Sequence, residues 1–129
     1  MGNVQKIKYS ISYFDLTIMK QGGRRIIELT PDGCLTIKDY VIGTRKVKSK
    51  KECQTSSEAF VELCAQLRKC IDEADTVIHY VDDSDAELSI FYFPDRVEKM
   101  PRGLGCGDRT VGSIFTEWAC GQKVGLIYT

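Results

Sequence analysis

The sequence predicts an α+β fold: an antiparallel sheet of about five to six strands, made of an N-terminal meander and a later hairpin, packed with one long and one short helix. Three observations predict it. Strand-like segments cluster at the start of the chain, a single long helical period follows, and further strand-like segments come after that period. This order lacks the βαβ series that a doubly wound parallel sheet needs.

The first segment, IKYSISYFDLTIM (7–19), begins with strict alternation, Ile7, Tyr9, Ile11 and Tyr13 sharing one face. After Tyr13 the apolar phase slips to Phe14, Leu16 and Ile18, which predicts a β-bulge or a strand buried on both faces. QGGR (21–24) reads as a tight turn and RRIIEL (24–29) as the second strand. TPDG (30–33) is a turn with a mechanism: Pro31 presets φ, Asp32 bonds nearby backbone and Gly33 permits positive φ. CLTIKDYVI (34–42) is the third strand, completing an antiparallel meander, and the polar, basic stretch 43–54 reads as its extension or as an exposed loop.

TSSE (55–58) reads as a capping box in which Thr55 and Glu58 satisfy orphan amides reciprocally. Phe60, Leu63, Cys64, Leu67, Ile71 and Ala74 then form one apolar stripe on the long helix, with Arg68/Asp72 and Lys69/Glu73 as i,i+4 pairs. TVIHYV (76–81) and ELSIFYF (87–93) read as two strands joined by the acidic turn DDSDA (82–86), and Pro94 and Pro101 bracket a loop. Val111, Ile114, Phe115 and Trp118 predict a short helix ending near Gly121 and capped by Asp108, and KVGLIY (123–128) a closing strand.

Length and composition bound the class. One domain, 1–129, is the default for 129 residues, and 43% apolar with 28% charged residues is ordinary for a globular chain. Net charge is zero, yet residues 1–54 carry 11 Lys/Arg against 5 Asp/Glu while residues 55–129 carry 7 against 13. Mutual attraction of the two halves within one fold is the simpler reading, a basic binding face the sharper one. No secretory h-region or membrane-length apolar run is present, and MGNVQK has Lys6 where myristoylation requires Ser or Thr. Six cysteines without a C-x-x-C then read as buried free thiols, and the expected protein is soluble and cytoplasmic.

The nearest approach to catalytic chemistry is GLGCGDRTVGS (103–113). Its GDRTVGS part places Ser113 where a phosphate loop needs Lys, and Ile114 where it needs a hydroxyl. The dinucleotide version fails at Asp108, where a third glycine belongs, and an acid at a helix N-terminus repels phosphate. Arg102 and Arg109 keep an anion site in this region as an alternative. His79 is the single histidine, so a metal cluster or Cys–His dyad has little to build on. DDSDAELS breaks from a calcium loop at Leu88 and Pro94. No metal or other cofactor is expected, and no catalytic signature stands out.

Two binding readings remain. Lys48, Lys50 and Lys51 within RKVKSKK (45–51), with Arg24 and Arg25, offer phosphate contacts, and Tyr9 and Tyr13 offer stacking surfaces for nucleic acid. A pI near 6.6 argues against this, and alternating lysines also protect an edge strand from aggregation. The leading expectation is a non-catalytic domain that binds a protein partner or itself, as a homodimer through an uncovered face of the meander.

Overall fold

The computed structural model describes residues 3–15, 20–40, 47–77, 85–107 and 109–122. Strands β1 (Val4–Asp15), β2 (Lys20–Leu29), β3 (Cys34–Tyr40) and β4 (Val47–Gln54) precede helix α1 (Ser57–Glu73). After it come β5 (Thr76–Val77), β6 (Asp85–Tyr92), β7 (Arg96–Pro101), β8 (Leu104–Cys106), β9 (Arg109–Thr110) and helix α2 (Val111–Gly121). The architecture is α+β: a six-stranded sheet of order β4-β3-β2-β1-β6-β7, antiparallel throughout, and a small sheet β5-β8-β9.

The large sheet buries one face. Ile7 pairs with Leu29 and Ile90, and Leu29 with Leu35; Tyr9 pairs with Ile27 and Leu88, Ile27 with Ile37, and Leu88 with Met100. All of these are buried, with Phe60, Leu63 and Leu67 of α1 and Val111, Ile114, Phe115 and Trp118 of α2 in the same cluster. Both helices therefore cover the same side. The alternate positions of β1 are Lys6, Lys8 and Ser10, so up to Ile11 the strand is amphipathic, as its alternation predicts. The register then shifts between Tyr13 and Phe14, where the phase slip predicts a bulge, but the extra residue, Gly22, belongs to β2 and not to β1.

That bulge also corrects the reading of QGGR as a turn. Gln21 and Gly23 pair with Phe14 and Tyr13, so the glycines lie inside β2, with Gly22 as the extra, bulged residue, and the strand begins at Lys20. Gly in a strand marks a bulge as readily as a turn, and only the pairing decides which. The basic stretch after β3 is not a loop over 47–54 but the edge strand β4.

TPDG turns as predicted. Gly33 has φ +86° and its N–H donates to Thr30 O at 2.9 Å; Asp32 accepts from Cys34 N at 3.1 Å and from the Thr30 hydroxyl. The same turn displaces the helix cap by one residue. Thr55 donates both its N–H and its hydroxyl to Gly33 O, each at 2.7 Å, so its side chain is committed to the turn. Ser56 is the N-cap instead, accepting from Ala59 N at 3.0 Å, and Glu58 stays in the first turn where the helix dipole favours an acid.

Two further expectations change. Of TVIHYV only Thr76 and Val77 are described, and they pair with Gly105 and Leu104 of β8, whereas β6 joins the large sheet between β1 and β7; residues 78–84 lie outside the described residues. The stretch between Pro94 and Pro101 is not a loop but β7, paired with β6 across a turn holding a cis Phe93–Pro94 bond. β7 is an edge strand with exposed Arg96, Val97 and Lys99, so its sequence shows little alternation to read. His79 and the proposed closing strand 123–128 lie outside the described residues.

Moving the cap from Thr55 to Ser56 has a measurable consequence. Ser56→Ala lowers stability by about 1 kcal/mol in urea titration through loss of the Ala59 bond, whereas Glu58→Gln changes it by only a few tenths, near the lower limit of dipole effects.

Candidate functional site

The glycine run is folded into structural work. Cys106 pairs with Arg109 across the residues 107–108, so β8 and β9 form a tight hairpin in which Gly107 takes φ +63°. A Cβ on Gly105 would stand 2.0 Å from Arg109 O, closer than any side chain tolerates, so the hairpin closes only over a glycine. α2 then starts at Val111 and is capped by Thr110; Asp108, the expected cap, lies outside the described residues. Thr110 Oγ1 accepts from Ser113 N at 3.2 Å while Ser113 Oγ accepts from Thr110 N at 3.0 Å, a reciprocal capping box. Gly112 N donates to Arg102 O at 3.0 Å.

Two of the amides that a phosphate would need at this helix end are thus already bonded inside the protein. Arg102, half-buried, holds the turn after β7 through its backbone, its N–H donating to Ala86 O at 3.2 Å. Arg109 is exposed on β9.

The described thiols whose acidity is shifted move away from the nucleophilic form. Burial pushes Cys64 up to about 11 and raises Cys70; the Asp75 carboxylate raises Cys106. Among the described residues no group of three or more His, Cys, Asp or Glu stands where it could hold a metal ion.

The other charged cluster ties α1 to the β6–β7 hairpin. Arg68 Nη1 donates to Glu98 Oε1 at 3.0 Å and to the Tyr92 hydroxyl at 3.1 Å, and Tyr92 donates to Glu98 at 2.9 Å. Arg68 also pairs with Asp72 at 3.1 Å, as the helical spacing predicts, and the Arg96 guanidinium lies 4.2 Å from the Tyr92 ring centre. Burial would raise the Glu98 carboxyl, but the bonds from Arg68 and Tyr92 outweigh it and hold it below the ordinary glutamate range. The donors and acceptors here satisfy one another, as a structural cluster requires.

Among the described residues, neither helix covers the second face of the large sheet. One row of the register runs Lys99, Ser89, Lys8, Glu28, Thr36, Glu52, and the next runs Pro101, Glu87, Ser10, Ile26, Lys38, Lys50. Lys6 and Arg24 share this face, with Phe91 beside Lys6 and Tyr40 beside Arg24. Among the described side chains the face therefore carries Lys6, Lys8, Arg24, Lys38, Lys50 and Lys99 against Glu28, Glu52 and Glu87. Lys6 pairs with Glu28 at 2.8 Å and Lys50 with Glu52 at 3.2 Å. Among the described residues, Lys8, Lys38 and Lys99 have no carboxylate at ion-pair distance, and the face stays net basic.

The structure divides the basic segment that the sequence singles out. Lys50 belongs to the open face beside Lys38, whereas Lys51 pairs with Ile37 and so sits on the opposite side of the pleat, exposed at the sheet edge. Lys48 lies in β4 where the register shifts, and its side chain is outside the description. Arg25 is likewise on the covered side, bonded to Asp39 at 2.7 and 3.0 Å. Tyr9, offered as a stacking surface, is buried with its ring 5.0 Å from that of Phe115, and has no face for a base. Sequence reading missed Lys8, Lys38 and Lys99, which come together only through strand order.

The fold defines a two-layer α+β protein in which, among the described residues, one sheet face is uncovered and net basic. Compared with known proteins, the chain matches no family model, and no curated protein matches its sequence. No helix among the described residues is long and apolar enough to cross a membrane.

Two outcomes follow from this geometry. Gly112→Ala destabilises α2 by 1 kcal/mol or more despite the roughly 1 kcal/mol helix-propensity gain of alanine, because the new Cβ meets Arg102 Cβ at 2.9 Å and the Tyr9 hydroxyl at 3.1 Å; urea titration reads the sign. Because the folded Glu98 pKa is depressed, its contribution is complete above the unfolded value and is lost as pH falls through the folded one. The stability gap between wild type and Glu98→Gln therefore narrows as pH falls through the ordinary glutamate range and below it, measured by urea titration at each pH.

Proposed function

We propose that this chain is a non-catalytic binding domain that docks an acidic protein surface on the open face of its six-stranded sheet. The observation that carries the reading is the uncovered basic face, on which Lys8, Lys38 and Lys99 stand without acidic partners among the described residues. Opposite charge across an interface steers encounter and selects partners, and a flat sheet presents many such contacts at once. A partner of like charge is rejected on the same ground.

A protein surface suits the face better than nucleic acid does. Glu28, Glu52 and Glu87 are interleaved with the lysines and repel a continuous phosphate backbone, whereas a mixed surface can match both signs. The free thiols Cys34, Cys53, Cys64, Cys70 and Cys106 support a reducing, cytoplasmic setting. The region 102–113 has a structural role in this reading, since its amides and hydroxyls serve the β8–β9 hairpin and the α2 cap.

Fluorescence anisotropy with labelled poly-L-glutamate and a labelled single-stranded oligonucleotide of equal charge tests the proposal. Binding to polyglutamate is expected to weaken with salt and to fall about tenfold in Lys8→Glu/Lys38→Glu, equivalent to about 1.4 kcal/mol. Tighter binding of the oligonucleotide, or polyglutamate binding unchanged by the substitutions, overturns it.

A further inference from the structure

On the layer opposite the basic sheet face, the solvent side of α1 is acidic: it carries Glu58, Glu62, Asp72 and Glu73 against Lys69 and the half-buried Arg68, and Asp75 follows the helix. Val61 stands between Glu58 and Glu62 with 62% of its surface exposed, an apolar point inside a charged field. Among the described residues the open sheet face is thus net cationic and the solvent side of α1 net anionic. The two surfaces look away from each other, since α1 buries its other side against the covered face of the sheet. One copy cannot bring them together; two copies can.

We infer that the acidic partner of the open sheet face is helix α1 of a second copy of this chain, in a head-to-tail stack. This inference rests on the reading of that face as a docking surface. Dimensions match: the 17 residues of α1 span about 25 Å at 1.5 Å each, and six strands at about 4.8 Å spacing span about 24 Å. Glu58 and Glu62, one turn apart, face the unpaired Lys8 and Lys38, and Val61 has the half-buried Ile26 between those lysines to pack on.

A two-fold dimer through the sheet face would set lysines against lysines, a like-charge contact that opposes it. The contact is therefore heterologous, and the stack extends instead of closing at two copies. A footprint near 24 by 20 Å buries on the order of 1,000 Å² in total, the lower limit for specific interfaces, so the association is weak. Its attraction is screened as the Debye length shrinks from about 30 Å at 0.01 M salt towards 3 Å at 1 M.

Sedimentation of the full chain decides it. At about 1 mM protein and 20 mM salt the weight-average mass is expected to rise with concentration past two copies, and at 500 mM salt to return to the single-chain 14.5 kDa. Lys8→Glu/Lys38→Glu and Glu58→Lys/Glu62→Lys each stay single, since either pair of substitutions sets like charges against each other at the contact. An equal mixture of the two associates again, because each variant's reversed face meets its complement on the other. That recovery cannot come from misfolded chains, and matching circular-dichroism melts confirm both variants are intact. Single-chain mass for the wild type at low salt, a plateau at two copies, or a mixture that stays single overturns the inference. If polyglutamate still binds in a Lys8- and Lys38-dependent way, the docking reading survives and only the identity of the partner is lost.

Discussion

The structure depends on one aromatic column that joins its two layers. Tyr9 in the middle of β1 stacks on Phe115 of α2 at 5.0 Å, and Phe115 lies 6.0 Å from Trp118. Trp118 in turn donates its indole N–H to Ala59 O at the start of α1, 2.9 Å away and fully enclosed. A buried indole donor left without its acceptor is costly, so this bond fixes where α2 lies against α1. Because Tyr9 belongs to the central strand pair, the column also fixes which face of the sheet both helices cover.

From that constraint the rest follows. α2 must begin close beneath β1, and the chain reaches it through the β8–β9 hairpin, whose backbones approach too closely for any side chain at Gly105. The helix start is wedged against Arg102 and Tyr9, which makes Gly112 necessary in a position where alanine is otherwise the better helix former. The glycine run resembles a phosphate loop because both need backbone brought close to something; here that something is the protein's own backbone. Ser113, the residue nearest to a catalytic hydroxyl in that motif, is occupied by the cap it shares with Thr110.

One-sided coverage also separates the charges. The early half of the chain supplies most of the sheet and the later half supplies the helices, so a basic start and an acidic remainder become a basic layer and an acidic layer. Among the described residues the ion pairs join residues of the same half, Lys6–Glu28, Arg25–Asp39 and Lys50–Glu52 in the first and Arg68 with Asp72 and Glu98 in the second. Among the described residues the lysines of the sheet face and the acids of α1 lie on opposite surfaces.

Local rules settled the elements whose cause is local. The alternation of Ile7, Tyr9 and Ile11, the phase slip after Tyr13, the TPDG turn and the stripe from Phe60 to Leu67 each express a spacing or a turn geometry complete within a few residues. The same alternation already turned Lys6 and Lys8 outward. Tertiary structure decided whatever depended on a partner distant in sequence. Thr55 lost the cap to Ser56 because Gly33 O claimed its hydroxyl, the QGGR glycines became strand because β1 lay beside them, and β7 formed because β6 offered an edge. The candidate surface is of this second kind: Lys8, Lys38, Lys50 and Lys99 sit on four strands, and only strand order and register place them on one face, while a single step of pleat sends Lys51 to the other.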